Sequence, residues 1–241
     1  QEMSNKGKNV IVSGSPKLDV IWEKGYQPVD GWKKSEKRKK RIIWAPHHED
    51  NTPAWQYQFD AFYELKNIMF EIAEKYKDEI QIAFKPHPML KPKLEKRWGK
   101  ETMEEYYQKW AELENGQLEE GEFIDLFLTS DAMIFDSISF IGEYTAVNKP
   151  ALFTVGRNAR VWMNEYGKEN YEILYHAKEN LKEEICSFIE DVVINGNDIK
   201  YQERSLFIQK YLIPPNHKNA AQNIYSSVCE KIGIKERDFC L

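Results

Sequence analysis

Cysteine is scarce in this chain: Cys186, Cys229 and Cys240 are the only three in 241 residues. Odd in number and far apart, they make neither a disulfide framework nor a metal-ligand spacing, so a reducing compartment is the expectation. No apolar run approaches the roughly 20 residues of a membrane-spanning helix, and no secretory leader is recognisable. A cytoplasmic location follows as the expectation. The sequence also has no GxxxxGK[ST], no GxGxxG after its first strand-like run, and no HExxH or CxxC. These absences disfavour P-loop ATP hydrolysis, a standard dinucleotide fold and a motif-borne metal site. The expectation is therefore no metal and no resident cofactor. Positive charge is in the minority, with 34 Lys and Arg against 39 Asp and Glu and a formal net charge of -5. That balance argues against a dedicated nucleic-acid binder.

What is present is a large apolar fraction, 41% hydrophobic and 13% aromatic, enough for a substantial core and against disorder. Short apolar runs alternate with longer helical patterns, the signature of βαβ units and a mainly parallel sheet. The runs are NVIVS (9–13), RIIWA (41–45), QIAF (81–84), AMIF (132–135) and ALFTV (151–155). Phe59, Phe62, Leu65, Ile68, Met69, Ile72 and Tyr76 recur at helical spacing between the second and third runs. Further helices are expected over 101–118, 181–193 and 219–232. In the last, Ala220, Ile224, Val228 and Ile232 form a stripe expected to face the core. The fold class read from this pattern is α/β, a parallel sheet sandwiched by helices. The basic run KKSEKRKKR (33–41) stands out; it is either a solvated loop or a contact for an anionic surface such as a membrane.

Polar residues follow each run. After RIIWA come His47, His48, Glu49 and Asp50; after QIAF comes KPHP with Lys85 and His87; after ALFTV come Arg157 and Arg160. The first run leads into Ser15 and PKLD, and AMIF leads into Asp136, Ser137 and Ser139. In a parallel sheet these strand ends share one edge, and ligands of open α/β sheets bind outside the carboxyl edge. The proline-flanked KPHP is a stiff loop. Asp136 and the two serines read both as a helix cap and as an anion seat, because free N–H groups of a first helical turn suit either. Glu143, one turn on, reads as a ribose contact or a plain packed residue. A phosphate-bearing ligand fits such a set, with a histidine as general base.

Four blocks carry a resemblance to a known family. LTSDAMIFDSISFIGEYTAVNKPALF (128–153) resembles the SD-x-x-I-x-D-x-S-S segment, ending in KP, of the CDP-glycerol glycerophosphotransferases of the teichoic-acid type. IIWAPHHED (42–50) is similar to that family's strand ending in AP, FKPHP (84–88) to its basic-x-HP loop, and VSGSPKLDVIW (12–22) to its G-x-P-(R/K)-x-D stretch. The chain departs in reading D-S-I-S and HHED where the family often has two adjacent serines and Thr or Tyr with an Arg. The resemblance implies a Rossmann-like domain similar to the C-terminal half of GT-B glycosyltransferases. Residues 1–241 would form that single domain, with 1–40 holding the interdomain entry segment and the basic loop. It further implies transfer of glycerol phosphate, or a similar polyol phosphate, from a CDP-activated donor to a polymer hydroxyl. The acceptor would be bound through an N-terminal domain lying outside this chain, which starts at Gln1 and reads as a piece of a longer protein. The residues alone are expected to bind donor with little or no turnover.

Carried over by position, the resemblance puts His47, His48 and His87 at the catalytic centre. Ser15, Lys85, Ser130, Asp136, Ser137, Ser139, Glu143 and Arg157 fall around the donor phosphates and nucleotide. A glycosyltransferase using a nucleotide sugar for capsule or lipopolysaccharide synthesis, and a non-catalytic nucleotide-binding module, remain open alternatives.

Overall fold

A computed structural model describes Lys8 and residues 10–48, 61–136, 140–155 and 163–235. Two compact units make up the chain, one of residues 27–205 and one joining 1–26 to 206–241.

The larger unit is built on six parallel strands: β1 (Lys40–Ala45), β2 (Ile80–Phe84), β3 (Gly116–Leu118), β4 (Ala132–Phe135), β5 (Ala151–Thr154) and β6 (Tyr175–Ala177). Their order across the sheet is β3-β2-β1-β4-β5-β6. This is a doubly wound arrangement whose connections reverse direction between β1 and β4. The helices α1 (Phe62–Lys75), α2 (Leu90–Trp98), α3 (Lys100–Glu112), α4 (Ile124–Thr129), α5 (Ile141–Thr145), α6 (Glu165–Glu172) and α7 (Leu181–Ser187) complete the unit. A π-helical segment, Phe188–Ile194, continues α7.

Strand sequences explain the two cores. Side chains alternate across a pleated sheet, and here both faces are covered, so the strands read as unbroken apolar runs. Ile42, Trp44, Ile82, Phe84, Ile134 and Leu152 face one core with α1, α2, α3 and α7. Ile43, Ala45, Ala83, Met133, Phe135 and Phe153 face the other with α4 and α5. An aromatic pile anchors the first core: the Trp44 ring lies 5.0 Å from Phe84 and 5.4 Å from Trp110, centroid to centroid.

The helix α8 (Tyr201–Tyr211) follows in the chain, and in the smaller unit α9 (Ala220–Ile232) opens with a reciprocal capping box between Asn219 and Gln222. Asp19, from the 3₁₀ turn Pro16–Trp22, accepts the Ala220 and Ala221 N–H groups at 2.7 and 2.9 Å. Segments 201 residues apart thus meet at one helix N-terminus, where a carboxylate is also favoured by the helix dipole. Gly14 has φ +88°, and a Cβ there would come within 2.9 Å of Pro214. Only glycine fits that backbone without strain.

Four expectations change. Val10–Ser13 form no strand, and Val10, Ile11 and Val12 are exposed; this alternating run belongs to the smaller unit rather than to the sheet. The helix expected over 101–118 ends at Glu112, and Gly116–Leu118 pairs with β2 as β3. The α9 stripe is not core, since Ala220 is buried but Ile224, Val228 and Ile232 are exposed. The helix expected directly after β4 is the five-residue α5. Of the basic run, Lys40 and Arg41 belong to β1, and Lys33 Nζ donates to the Leu113 carbonyl at 2.7 Å beyond the end of α3.

Candidate functional site at the carboxyl edge of the sheet

Register decides which strand-end residues meet. β1 pairs with β2 so that Trp44 lies opposite Phe84, and with β4 so that Ala45 lies opposite Phe135. The segments after all three strands therefore leave the sheet side by side at its topological switch point. The ladder continues past the strands: the Lys85 N–H donates to the Trp44 carbonyl at 2.8 Å, and the His87 N–H to the Pro46 carbonyl at 3.0 Å. Asp136 straps the edge from the β4 side. Its carboxylate accepts the His47 N–H at 2.6 Å and the Ala61 N–H, just before α1, at 2.7 Å. With only 1% of its surface exposed, Asp136 fixes the β1–α1 connection rather than only shaping its own turn.

Three imidazoles converge here. Ring centroids of His47 and His48 are 4.2 Å apart, those of His48 and His87 4.4 Å, and those of His47 and His87 5.0 Å. Their ring nitrogens include one from each residue lying within 4.8 Å of the others. His87 is held at both ends of its residue: its carbonyl accepts the Leu90 N–H at 2.8 Å, and its Nδ1 accepts the Met89 N–H at 3.1 Å. With Nδ1 accepting, the proton of the neutral His87 ring sits on Nε2. Burial pushes the His47 pKa down to about 3, and the neighbouring His48, His87 and Lys93 charges act in the same direction. His48 is lowered too, first by burial and then by Lys93. At neutral pH His47 and His48 are thus uncharged imidazoles, able to donate or accept a hydrogen bond, take up a proton or ligate a metal.

Not every anticipated residue joins this cluster. Lys85 is buried and its Nζ donates to the Gly121 carbonyl at 2.6 Å, toward the segment after β3. Burial lowers its pKa, with Glu119 and Glu122 opposing the shift. Ser130 precedes β4 and so sits at the amino edge of the sheet, opposite the histidines. There it is buried, with its hydroxyl 2.9 Å from both the Phe127 carbonyl and Tyr144 Oη. Glu143 is half-buried in the first turn of α5, where its charge helps raise the Tyr166 pKa. Ser15 belongs to the smaller unit. Ser137, Ser139, Arg157, Glu49, Asp50 and Arg160 lie outside the described residues.

Lys93 is the addition. It stands on α2, half-buried, with its charge felt at both His47 and His48. The sequence held a weak signal for it, since α2 follows directly on the KPHP loop and carries Lys91, Lys93 and Lys96. Among the described residues no helix is long and apolar enough to cross a membrane.

Comparison with known proteins adds a family. Residues 2–230 match the model described as CDP-glycerol:poly(glycerophosphate) glycerophosphotransferase. The teichoic acid ribitol-phosphate polymerase TarL of Staphylococcus aureus is 27% identical over 155 residues, which is 61% of this chain and 25% of TarL. The chain therefore spans about a quarter of that curated relative. Among solved structures, the wall teichoic acid polymerase TagF aligns with a TM-score of 0.52 at 16% identity, over 92% of this chain and 52% of that one. A UDP-N-acetylglucosamine 2-epimerase from Listeria monocytogenes, itself described as putative, aligns at 0.55 and 15% identity, over 99% and 58%. These likenesses establish the Rossmann-like architecture of GT-B proteins.

Proposed function

The chain belongs to the CDP-glycerol:poly(glycerophosphate) glycerophosphotransferase family, and on that premise we propose that it supplies the donor-binding half of a teichoic-acid-type polyol-phosphate transferase. The donor is a CDP-activated polyol such as CDP-glycerol, and the acceptor is a hydroxyl of a cell-surface polymer held by a further domain. The observation that carries this reading is the convergence of His47, His48 and His87 at the switch point of the sheet's carboxyl edge. Nucleotide-bearing ligands are bound at that place in doubly wound sheets.

In the proposed step the acceptor oxygen bonds to the donor's β-phosphorus while that phosphorus releases its bridging oxygen. CMP departs, and the hydroxyl proton passes to an imidazole. His47, held neutral to low pH, is a poor proton acceptor, and His87 carries its proton on Nε2 with Nδ1 engaged by Met89, which leaves His48 as the base and His47 as a positioning residue. Lys93 and the Nε2–H of His87 place positive charge and a donor where phosphate oxygens gather charge. Ser137, Ser139 and Arg157 complete the phosphate contacts in this reading, with Glu143 on the ribose. The donor is itself the substrate, so no organic cofactor enters. Lys34, Lys37 and Arg38, all exposed, are the residues that would meet the inner face of an anionic membrane.

Calorimetric titration of the chain with CDP-glycerol, CMP and UDP-sugars tests this. Binding of the cytidine ligands is expected, weakened at least tenfold by His87→Ala and by Ser137→Ala with the fold intact. Binding of a UDP-sugar alone would establish a nucleotide-sugar glycosyltransferase instead, and binding of neither would remove the transferase reading.

A further inference from the structure

The three histidines that approach one another at the sheet edge come from two segments 39 residues apart in sequence, His47 and His48 after β1 and His87 after β2. No linear motif would show them as a ligand set, which is why an expectation resting on HExxH and CxxC spacings included no metal. Ring nitrogens of all three lie within 4.8 Å of one another. A tetrahedral zinc site holds imidazole nitrogens about 2.0–2.1 Å from the ion, and hence about 3.4 Å from each other. Rotations that move ring tips by about 1 Å close that gap, and His48 and His87 are only half-buried.

We propose that His47, His48 and His87 form a three-imidazole site for a divalent transition-metal ion of the zinc type, with a fourth position left for an oxygen ligand. The proposal concerns this chain's own side chains and stands whichever donor the protein uses; an imidazole holding the ion would not also serve as the base, so ion binding and proton uptake are alternative states of the same rings. Three arguments support it. The backbone is preorganised: Asp136 fixes the His47 N–H, Pro46 fixes the His87 N–H, and prolines 86 and 88 stiffen the loop. The rings are already gathered, with centroids 4.2, 4.4 and 5.0 Å apart. Three protein ligands with one open position is also the arrangement of catalytic rather than structural zinc sites.

Two features oppose it and are outweighed. Lys93 repels a dication as it repels a proton. The Met89 N–H donates to His87 Nδ1, so coordination through Nε2 moves the ring proton to Nδ1 and turns this exposed N–H to water. Losing one exposed hydrogen bond is small beside the three coordination bonds gained.

The test uses the whole chain, stripped of metal with a chelator and titrated with Zn²⁺ against a chromophoric competitor, then with Co²⁺ for its visible spectrum. One ion per chain is expected, with a tetrahedral cobalt spectrum lacking a thiolate charge-transfer band. His48→Ala and His87→Ala, each confirmed folded by circular dichroism, should weaken binding at least tenfold, while His176→Ala and His217→Ala leave it unchanged. Absence of a saturable site, a thiolate band, or wild-type affinity in both cluster variants would overturn the proposal. Titrating CDP-glycerol into the stripped chain separates the two readings: donor binding without zinc binding sinks the metal site and leaves the transferase assignment standing.

Discussion

At the residue scale, His47 shows how burial and company set chemistry. The folded chain keeps its ring neutral down to about pH 3, whereas the unfolded chain takes up that proton near the ordinary value of 6.5. Below pH 6.5 the unfolded state therefore binds one more proton, and the stability present above that pH is lost as the pH falls toward 3. The slope is about 1.4 kcal/mol per pH unit for one group. Urea unfolding in the presence of chelator, between about pH 4 and 7, should show this fall, and His47→Gln should flatten it by that amount. Asp136 supplies a second prediction. It accepts two buried N–H groups, and charge-assisted bonds of this kind contribute about 1.5–3 kcal/mol each. Asp136→Asn can keep only one side as an acceptor and should cost about 2 kcal/mol in urea unfolding, with His48 and His87 losing their relative placement. The types of these residues were legible in sequence, since Asp136, His47 and His87 all follow apolar runs. Their mutual arrangement was not, because it depends on register between strands up to 89 residues apart, and Asp136 reaches across to the segment after β1.

At the element scale, legibility followed apolar length. β1, β2, β4 and β5 were visible because strands buried on both faces read as continuous hydrophobic runs. β3 (GQL) and β6 (YHA) are three residues each and carry no such run; pairing with a neighbour makes them strands. Val10–Val12 had the reverse fate, an apolar stretch with no partner strand. The α9 stripe was read as core because periodicity reports amphipathicity, not what covers the apolar face. α4 supports a further prediction. Lys149, half-buried, donates from Nζ to the carbonyls of Phe127, Leu128 and Ser130 at 2.9, 2.6 and 2.6 Å, closing the C-terminal end of that helix. Burial draws its pKa down to about 8. Lys149→Met keeps the stem's bulk but removes the lysine donor from the Leu128 and Ser130 carbonyls, and should lower stability by about 2 kcal/mol in chemical denaturation. Asp19→Ala should loosen α9 by about 1 kcal/mol, read as faster amide exchange in Ala220 and Ala221.

At the scale of the whole molecule, the α/β class was legible from alternation alone, and the family from four blocks of residues. The division into two compact units was not, since residues 1–26 and 206–241 are joined by contacts such as Asp19 with Ala220 that span 201 residues. Nor was the sheet order, which sets β2 and β4 on either side of β1 and so brings His87 beside His47 and His48. The central claim is that this cluster meets the donor's phosphates. Proton NMR of the imidazole resonances during a CDP-glycerol titration tests it most directly. The account predicts saturable shifts of the His48 and His87 signals, with His176 and His217 unmoved. Saturable CDP-glycerol binding that leaves the His48 and His87 signals where they were would contradict it.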